Sequence, residues 1–203
     1  MLSEVIGSTL TNFAVLVGVP LLLYAALQKW RRKRSLRESL ERLGLQRGQL
    51  RFVGYCAAAS VLLVGALVLW PPPVASFTRE GSAQRVFLGM GWSGATVTAA
   101  LLYGAVQTGF SEEFLFRGLI AGALGRRMSN PLANLLQATI FLAPHLLIVQ
   151  AMPDLWGMIP LVFAGALFAG WVRLESGSIL GPWILHAGVN TTMALSIAVR
   201  SAG

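Results

Sequence analysis

Three groups of polar residues interrupt the apolar stretches of this sequence, and they are the residues that could do chemistry. They are Glu112, Glu113 and Arg117 in "SEEFLFRG", His145 in "FLAPHL", and His186 with Asn190 in "LHAGVNT". A carboxylate, two imidazoles and an amide form a usable hydrolytic set. The carboxylate can take a proton from water, and an imidazole can orient that water or protonate the leaving amine. The amide and the other imidazole can donate hydrogen bonds to an oxyanion.

The spacing within the first group predicts different roles for the two glutamates. Glu113 and Arg117 are four residues apart, so they can form an ion pair on one face of a helix. Glu112 is rotated by about 100° from its neighbour and has no such local partner. The sequence therefore predicts that Arg117 holds Glu113 and leaves Glu112 available for chemistry.

The other two groups also follow the spacing of one helical turn. Phe141 precedes His145 by four residues, and Pro144 loosens the helix at the histidine. His186 and Asn190 are again four apart and share a face. Gly188 lies between them and allows another helix to approach closely.

A structural explanation exists for part of the pattern. Ser111 could be the N-cap of a helix whose first turn contains the two glutamates. The small-residue spacings at Gly118–Gly122 and Ala164–Gly170 predict close helix packing. Neither Ser111 nor the lone Cys56 is placed for covalent attack, because Ser111 has no identifiable base and Cys56 is remote in sequence.

The composition indicates a polytopic membrane protein. Hydrophobic residues make up 55% of the 203 residues, charged residues only 12%, and the mean hydropathy is +0.67. Uncharged runs occur at 5–28, 52–78, 131–153, 155–172 and 176–199. A membrane-crossing helix needs roughly 20 apolar residues. We therefore expect an all-α bundle of transmembrane helices around a buried catalytic cavity.

The positive charge is concentrated directly after the first apolar run. Of the 16 Lys and Arg residues, nine lie between Lys29 and Arg51, within a net charge of +8. This placement favours a cytoplasmic loop or short amphipathic helix that contacts anionic lipids, and it argues against nucleic-acid binding. The first run is too long for a cleavable signal, and its positive charges follow it, so we expect it to remain as a helix.

The positive-inside rule then favours six membrane spans. In that path the segment 86–124 crosses once, as a tilted helix. The alternative is seven spans, with a break near Gly109. We expect residues 1–85 to form two N-terminal transmembrane helices with the basic loop at 29–51, and residues 86–203 to form the catalytic helical core.

Three of these motifs together resemble the signature of one family. Glu-Glu-x-x-x-Arg at 112–117, Phe-x-x-x-His at 141–145 and His-x-x-x-Asn at 186–190 occur in the family's order, on separate apolar segments. They resemble the CPBP or Abi family, the type II CAAX prenyl endopeptidases and bacteriocin-processing enzymes. The resemblance covers about residues 86–199.

The resemblance implies an intramembrane protease of the glutamic type. By it, Glu112 is the general base that activates water, His145 assists, and His186 with Asn190 forms the oxyanion site. By the same resemblance, the catalytic residues would be held in position by their neighbours Glu113, Arg117 and Phe141.

Metal dependence is open by the same resemblance, because the family has also been classed as metalloproteases. Glu112, His145 and His186 could form a zinc site of two histidines and one carboxylate. The sequence has no His-Glu-x-x-His pair and no obvious second carboxylate behind either histidine. We therefore favour catalysis with no metal and no other cofactor.

Two functions of other classes compete with the protease. The chain could be a non-catalytic membrane scaffold or sensor, or a proton-coupled transporter in which Glu112, His145 and His186 relay protons. The absence of an inverted sequence repeat argues against a transporter. The short length and the arginine-rich loop are typical of a bacterial inner (cytoplasmic) membrane protein, where prenylated CAAX proteins are not expected. We therefore expect the substrate to be a membrane-associated peptide or the C-terminal tail of a membrane protein.

Overall fold

The computed structural model describes residues 2–203, and helices are the only regular elements within that range. Three 3-10 turns cover Val74–Phe77, Ala83–Phe87 and Pro153–Met158. The helices are α1 (Leu2–Arg32), α2 (Leu36–Arg42), α3 (Leu50–Leu69), α4 (94–124), α5 (Asn130–Ala151), α6 (Ile159–Ser176) and α7 (Leu180–Arg200). The predicted all-α class is confirmed.

Four helices are long and apolar enough to cross a membrane. They are α1, α3, α5, and α6 together with the turn that precedes it, Pro153–Ser176. The two helices that contain the glutamates, Arg117, His186 and Asn190 lie outside this set, because polar residues interrupt their apolar character. The predicted count of six spans stays a prediction for α4 and α7.

The distribution of polar and apolar side chains is that of a membrane protein. Large apolar residues are directed outward, for example Leu22 (71% exposed) and Leu62 (73%). Gln137 and Arg117 are instead enclosed by the bundle. A chain that exposes its leucines and buries its polar groups is suited to a lipid surround.

Helix α7 lies at the centre and packs against α3, α4, α6 and the turn Ala83–Phe87. Its approach to α3 depends on Gly188, since a Cβ there would overlap the Ser60 hydroxyl of α3. Close approach at Gly188 confirms the prediction made from its position between His186 and Asn190.

Helices α5 and α6 form a second tightly packed pair. The Gln137 side chain donates to the Ala166 carbonyl at 2.9 Å, and Asn134 donates to the Leu167 carbonyl at 2.9 Å. A Cβ on Gly170 would overlap both amide side chains. The small-residue run at Ala164–Gly170 therefore packs helices, as predicted.

The basic segment after α1 is folded onto the bundle. Helix α2 begins with a capping box in which Ser35 and Glu38 bond each other's backbone N–H groups. The chain beyond it buries Leu43 completely and accepts a hydrogen bond from Ile179 N–H at the Gly44 carbonyl, at 3.0 Å. Of the two predicted alternatives, a loop or a short amphipathic helix, the structure has a short helix that continues into a loop in contact with Gly118 of α4 and with Ile179.

Helix α4 runs without a break from 94 to 124, and Ser93 is its N-cap. The Ser93 hydroxyl accepts a hydrogen bond from the Thr96 N–H at 3.1 Å. Gly109 lies inside the helix, so the break that a seven-span path requires there is not observed.

Candidate active site

Helix α4 contains two stretches of π-helix, at 102–110 and 113–121; Glu112 lies between them, and Glu113 is the first residue of the second. In these stretches the backbone bonds span five residues, as from Gly122 N–H to the Arg117 carbonyl. π-helical turns are rare and often mark functional sites. Ser111 is fully buried, and its hydroxyl donates to the Val106 carbonyl at 3.0 Å. The interpretation of Ser111 as a helix N-cap is therefore wrong: it lies in mid-helix.

Glu113 is the hub of a buried polar network. Its Oε1 accepts hydrogen bonds from Arg117 Nη1 at 3.0 Å and from His186 Nδ1 at 2.9 Å. The side chains of Glu113 and Arg117 are each 2% exposed. The ion pair predicted from the spacing exists, and the structure adds that the same carboxylate orients His186.

Glu112 faces the other side of the same imidazole. Its Oε2 lies 3.9 Å from His186 Nε2, and the side chains of His186 and Glu112 are 18% and 24% exposed. Because His186 Nδ1 donates to a carboxylate, Nε2 is the ring nitrogen that is directed at Glu112. A separation of 3.9 Å is too long for a direct hydrogen bond.

His145 joins the site through Phe141. Its Nδ1 donates to the Phe141 carbonyl at 2.9 Å, so the neutral ring presents Nε2 as an acceptor. The Phe141 ring lies 4.6 Å from the His145 ring, 6.5 Å from the His186 ring and 4.2 Å from the Arg117 guanidinium carbon. In the described part of the chain, His145 makes no ion pair or hydrogen bond with Glu112.

Asn190 is fixed by a residue that the motif analysis missed. Its Nδ2 donates to the Thr108 hydroxyl at 2.9 Å, and that hydroxyl donates to the Tyr103 carbonyl at 3.0 Å. The second N–H of the Asn190 amide makes no hydrogen bond within residues 2–203. Thr108 lies four residues before Glu112, and this one-turn spacing was a signal in the sequence.

The approach of α7 to α4 depends on two glycines. A Cβ on Gly104 would overlap the backbone of Thr191, and one on Gly109 would lie 3.3 Å from the Ala187 Cα. The backbones are thus close enough for the short side chains of both helices to meet. Trp183 adds a hydrogen bond from its indole to the Ala105 carbonyl, at 2.7 Å.

Comparison with known proteins agrees with the three motifs. Residues 94–192 match the family model described as type II CAAX prenyl endopeptidase, Rce1-like. Residues 94–192, just under half of the chain, are therefore described as its Rce1-like domain. This match confirms the family resemblance, implies protease activity, and together with the apolar helices indicates an integral membrane protein. No curated protein and no solved structure matches the chain significantly.

The Rce1-like domain brings the predicted residues together to different degrees. Glu112, Glu113, Arg117 and His186 form one continuous network. Phe141 touches that network, and His145 adjoins it through Phe141. Asn190 lies one turn after His186 and is bound to α4 through Thr108. Their catalytic roles stay predictions.

The donor set of the domain does not fit a metal ion with three protein ligands. Within residues 2–203 no group of three or more His, Cys, Asp or Glu side chains converges closely enough to hold one. Glu112 and His186 approach each other, whereas His145 Nδ1 is bonded to the Phe141 carbonyl. We therefore derive no step through a metal.

Two pockets of the protein have none of the predicted catalytic residues in their lining. One of about 460 Å³ lies beside α1 and the turn Ala83–Phe87, with Gln107 of α4 in its lining. The other lies at the end of α1. The buried catalytic cavity expected from the sequence stays a prediction.

Proposed function

We propose that the chain is an intramembrane endopeptidase of the glutamic type, which hydrolyses a peptide bond in a membrane-associated peptide or a C-terminal tail. The observation that carries this proposal is the gap between Glu112 and His186. A carboxylate and an imidazole nitrogen face each other at 3.9 Å, while Glu113 holds the far side of the ring.

The first step uses a water molecule bound beside Glu112 Oε2 and His186 Nε2. Glu112 takes a proton from the water, and the water oxygen attacks the carbonyl carbon of the scissile peptide bond. His145 assists by accepting a hydrogen bond from the water at Nε2, which is free because Nδ1 is bound to the Phe141 carbonyl.

The second step needs hydrogen-bond donors for the oxyanion. Asn190 has one free N–H, and His186 donates from Nε2 when both ring nitrogens carry hydrogen. In that form Glu112, Glu113, Arg117 and His186 together carry no net charge. An uncompensated charge inside an apolar bundle is costly, so this charge balance supports the assignment.

The third step releases the products. Glu112, now protonated, gives its proton to the nitrogen of the leaving amine, and the C–N bond breaks. The new carboxyl group takes its added oxygen from water. No covalent enzyme intermediate is required, in agreement with the mid-helix position of Ser111, whose hydroxyl is bound to the Val106 carbonyl.

The test is release of a fluorescent C-terminal tail from a lipid-anchored peptide by the protein in nanodiscs, with mass spectrometry of the products. Glu112→Gln and His145→Ala should lose at least about a hundredfold in kcat, in the range seen for a removed general base or oxyanion donor. Glu80→Gln is the matched control, since Glu80 lies exposed in the loop before α4. Cleavage by both site variants at the wild-type rate would refute the catalytic roles of Glu112 and His145, and no cleavage by the wild-type protein would support a scaffold or transporter instead.

We also propose that the basic segment contacts anionic lipids of a bacterial cytoplasmic membrane. The open pocket at the end of α1 is lined by the apolar residues Ala26 and Trp30, the basic residues Lys29, Lys33 and Arg34, and Ser35. Each basic residue near an anionic surface contributes about 1 kcal/mol. Replacing Lys29 and Lys33 with Gln should therefore weaken partition of fluorescent phosphatidylglycerol to the protein roughly tenfold or more. Equal partition of phosphatidylglycerol and phosphatidylcholine to the wild-type protein would contradict this lipid preference.

A further inference from the structure

Arg173 near the end of α6 is a buried cation whose hydrogen bonds go to backbone carbonyls. It is 6% exposed. Its Nε donates to the Arg117 carbonyl at 3.1 Å, and its Nη2 donates to the Arg42 carbonyl at 3.0 Å. One guanidinium thus joins three elements, which are α6, the catalytic helix α4 and the end of α2.

No acidic side chain pairs with Arg173 within residues 2–203. Burying a cation without a counter-charge is costly, and the two carbonyls compensate only part of that cost. Two apolar side chains would hold α2 against the bundle without the desolvation cost of a buried charge. What the guanidinium adds is direction, because its planar donors fix the positions of both carbonyls.

The surroundings are shaped to admit this contact. A Cβ on Gly122 would lie 3.1 Å from Arg173 Nη2, and a Cβ on Gly118 would lie 2.9 Å from the Leu43 carbonyl. Gly44 has φ +78°, and a Cβ there would lie 2.7 Å from Arg173 Nε. The Gly118–Gly122 spacing of α4 therefore packs against the end of α2 and Arg173.

The carbonyl that Arg173 binds belongs to the residue that organises the site. The Arg117 guanidinium donates to Glu113, and Glu113 accepts from His186. We propose that Arg173 is a positioning residue: it fixes the register of α4 at Arg117 against the docked basic segment, and so orients Glu113 and the His186 ring. This inference rests on the proposed function for its effect on turnover.

The first measurement is turnover of the lipid-anchored peptide by Arg173→Met, which keeps a long side chain and removes every donor. Helix α4 retains its own bond at the Arg117 carbonyl, from Gly122 N–H, so we expect the fold to persist. We expect kcat to fall about ten- to a hundredfold, as for a displacement of about 1 Å at a catalytic group, with KM within about twofold. Arg173→Lys should recover part of the loss, because an ammonium can reach one of the two carbonyls.

Two variants control the interpretation. Arg127→Met removes an exposed arginine at the end of α4 and should leave kcat unchanged. In a double-mutant cycle, Arg173→Met should add little to Arg117→Met if both act through the same carboxylate. The proposal is overturned if the losses of the two variants are additive. It is also overturned if the loss of kcat only follows the unfolded fraction and Arg173→Lys does not recover it.

A second measurement does not depend on cleavage. The chain contains only two histidines, so ¹⁵N-histidine labelling reports His186 and His145 alone. Arg173→Met should shift the ring nitrogens of His186 and leave those of His145 nearly unchanged. An unchanged His186 spectrum in a folded variant refutes the positioning role. A shifted spectrum in a protein that cleaves no peptide upholds it and refutes the proposed function.

Discussion

Replacing Arg117 with Met would leave the Glu113 carboxylate without its cation in a buried environment. Both side chains are 2% exposed, and they are joined at 3.0 Å. Removing one partner of a buried ion pair typically costs about 3–5 kcal/mol. The contact between the guanidinium and the Phe141 ring, at 4.2 Å, is lost as well. We therefore expect Arg117→Met to lower the free energy of unfolding by about 3–5 kcal/mol.

The double variant Glu113→Gln/Arg117→Met separates charge from packing. It removes both charges, and the side-chain carbonyl of the introduced glutamine can still accept a hydrogen bond from His186 Nδ1. Replacing both members of a buried pair is often close to neutral in stability, so we expect most of the lost stability to return. Activity should not return, because His186 then faces an amide in place of a carboxylate.

The assay is unfolding in mixed micelles with increasing sodium dodecyl sulfate, followed by tryptophan fluorescence, alongside turnover of the lipid-anchored peptide. Arg37→Met is the matched control, since Arg37 pairs with Glu41 at the same four-residue spacing but is 89% exposed. Exposed pairs of this kind contribute about 0.3–0.5 kcal/mol. The reasoning is refuted if Arg117→Met costs no more than Arg37→Met, or if the double variant is less stable than Arg117→Met alone.

Two further variants test how the helices hold the site. Gly104→Ala should cost about 1–3 kcal/mol by overpacking and reduce turnover, because its Cβ meets the Thr191 backbone. Gly7→Ala, with open space around its Cβ, is its control, and equal thermal stability of the two would contradict the close crossing. Thr108→Val removes the acceptor that fixes Asn190, so kcat should fall about tenfold while the protein stays folded. Unchanged kcat for this variant in the peptide assay would remove Asn190 from the oxyanion site.

Local spacing was sufficient to predict contacts within one helix. The Glu113–Arg117 pair and the position of Phe141 one turn before His145 both follow from residues four apart. The same argument failed at Ser111, because an N-cap is favoured by sequence only where a helix begins, and the N-cap of α4 is Ser93, several turns earlier. The π-helical stretches of α4 have no comparable local signature.

The sequence indicated that some helices pack closely, but not which helices or which residues contact each other. Gly188 indicated a close neighbour but not that Ser60 of α3 is that neighbour. The hydrogen bonds from Asn190 to Thr108 and from His186 to Glu113 connect residues that are 82 and 73 positions apart. Their pairing depends on the crossing of α4 and α7, and that crossing is set by many packed side chains together.

The basic segment was likewise predictable in its local structure but not in its contacts with the bundle. Its charge pattern predicted a loop or a short amphipathic helix beside the membrane, and Ser35 and Glu38 cap a short helix there. Its docking under α4 through Arg173 had no sequence signal, since an arginine that binds two carbonyls leaves no charged partner to count.

By itself the amino-acid sequence determined the all-helical membrane class, the family and the pairs of residues one turn apart, because apolar run length and helical periodicity act along the chain. Only the tertiary structure decided that Glu113 orients His186, that Glu112 faces the opposite ring nitrogen, and that Arg173 ties the basic segment to helix α4. These contacts depend on the distances and angles between helices, which are fixed when small residues let the backbones approach and buried polar groups find their partners.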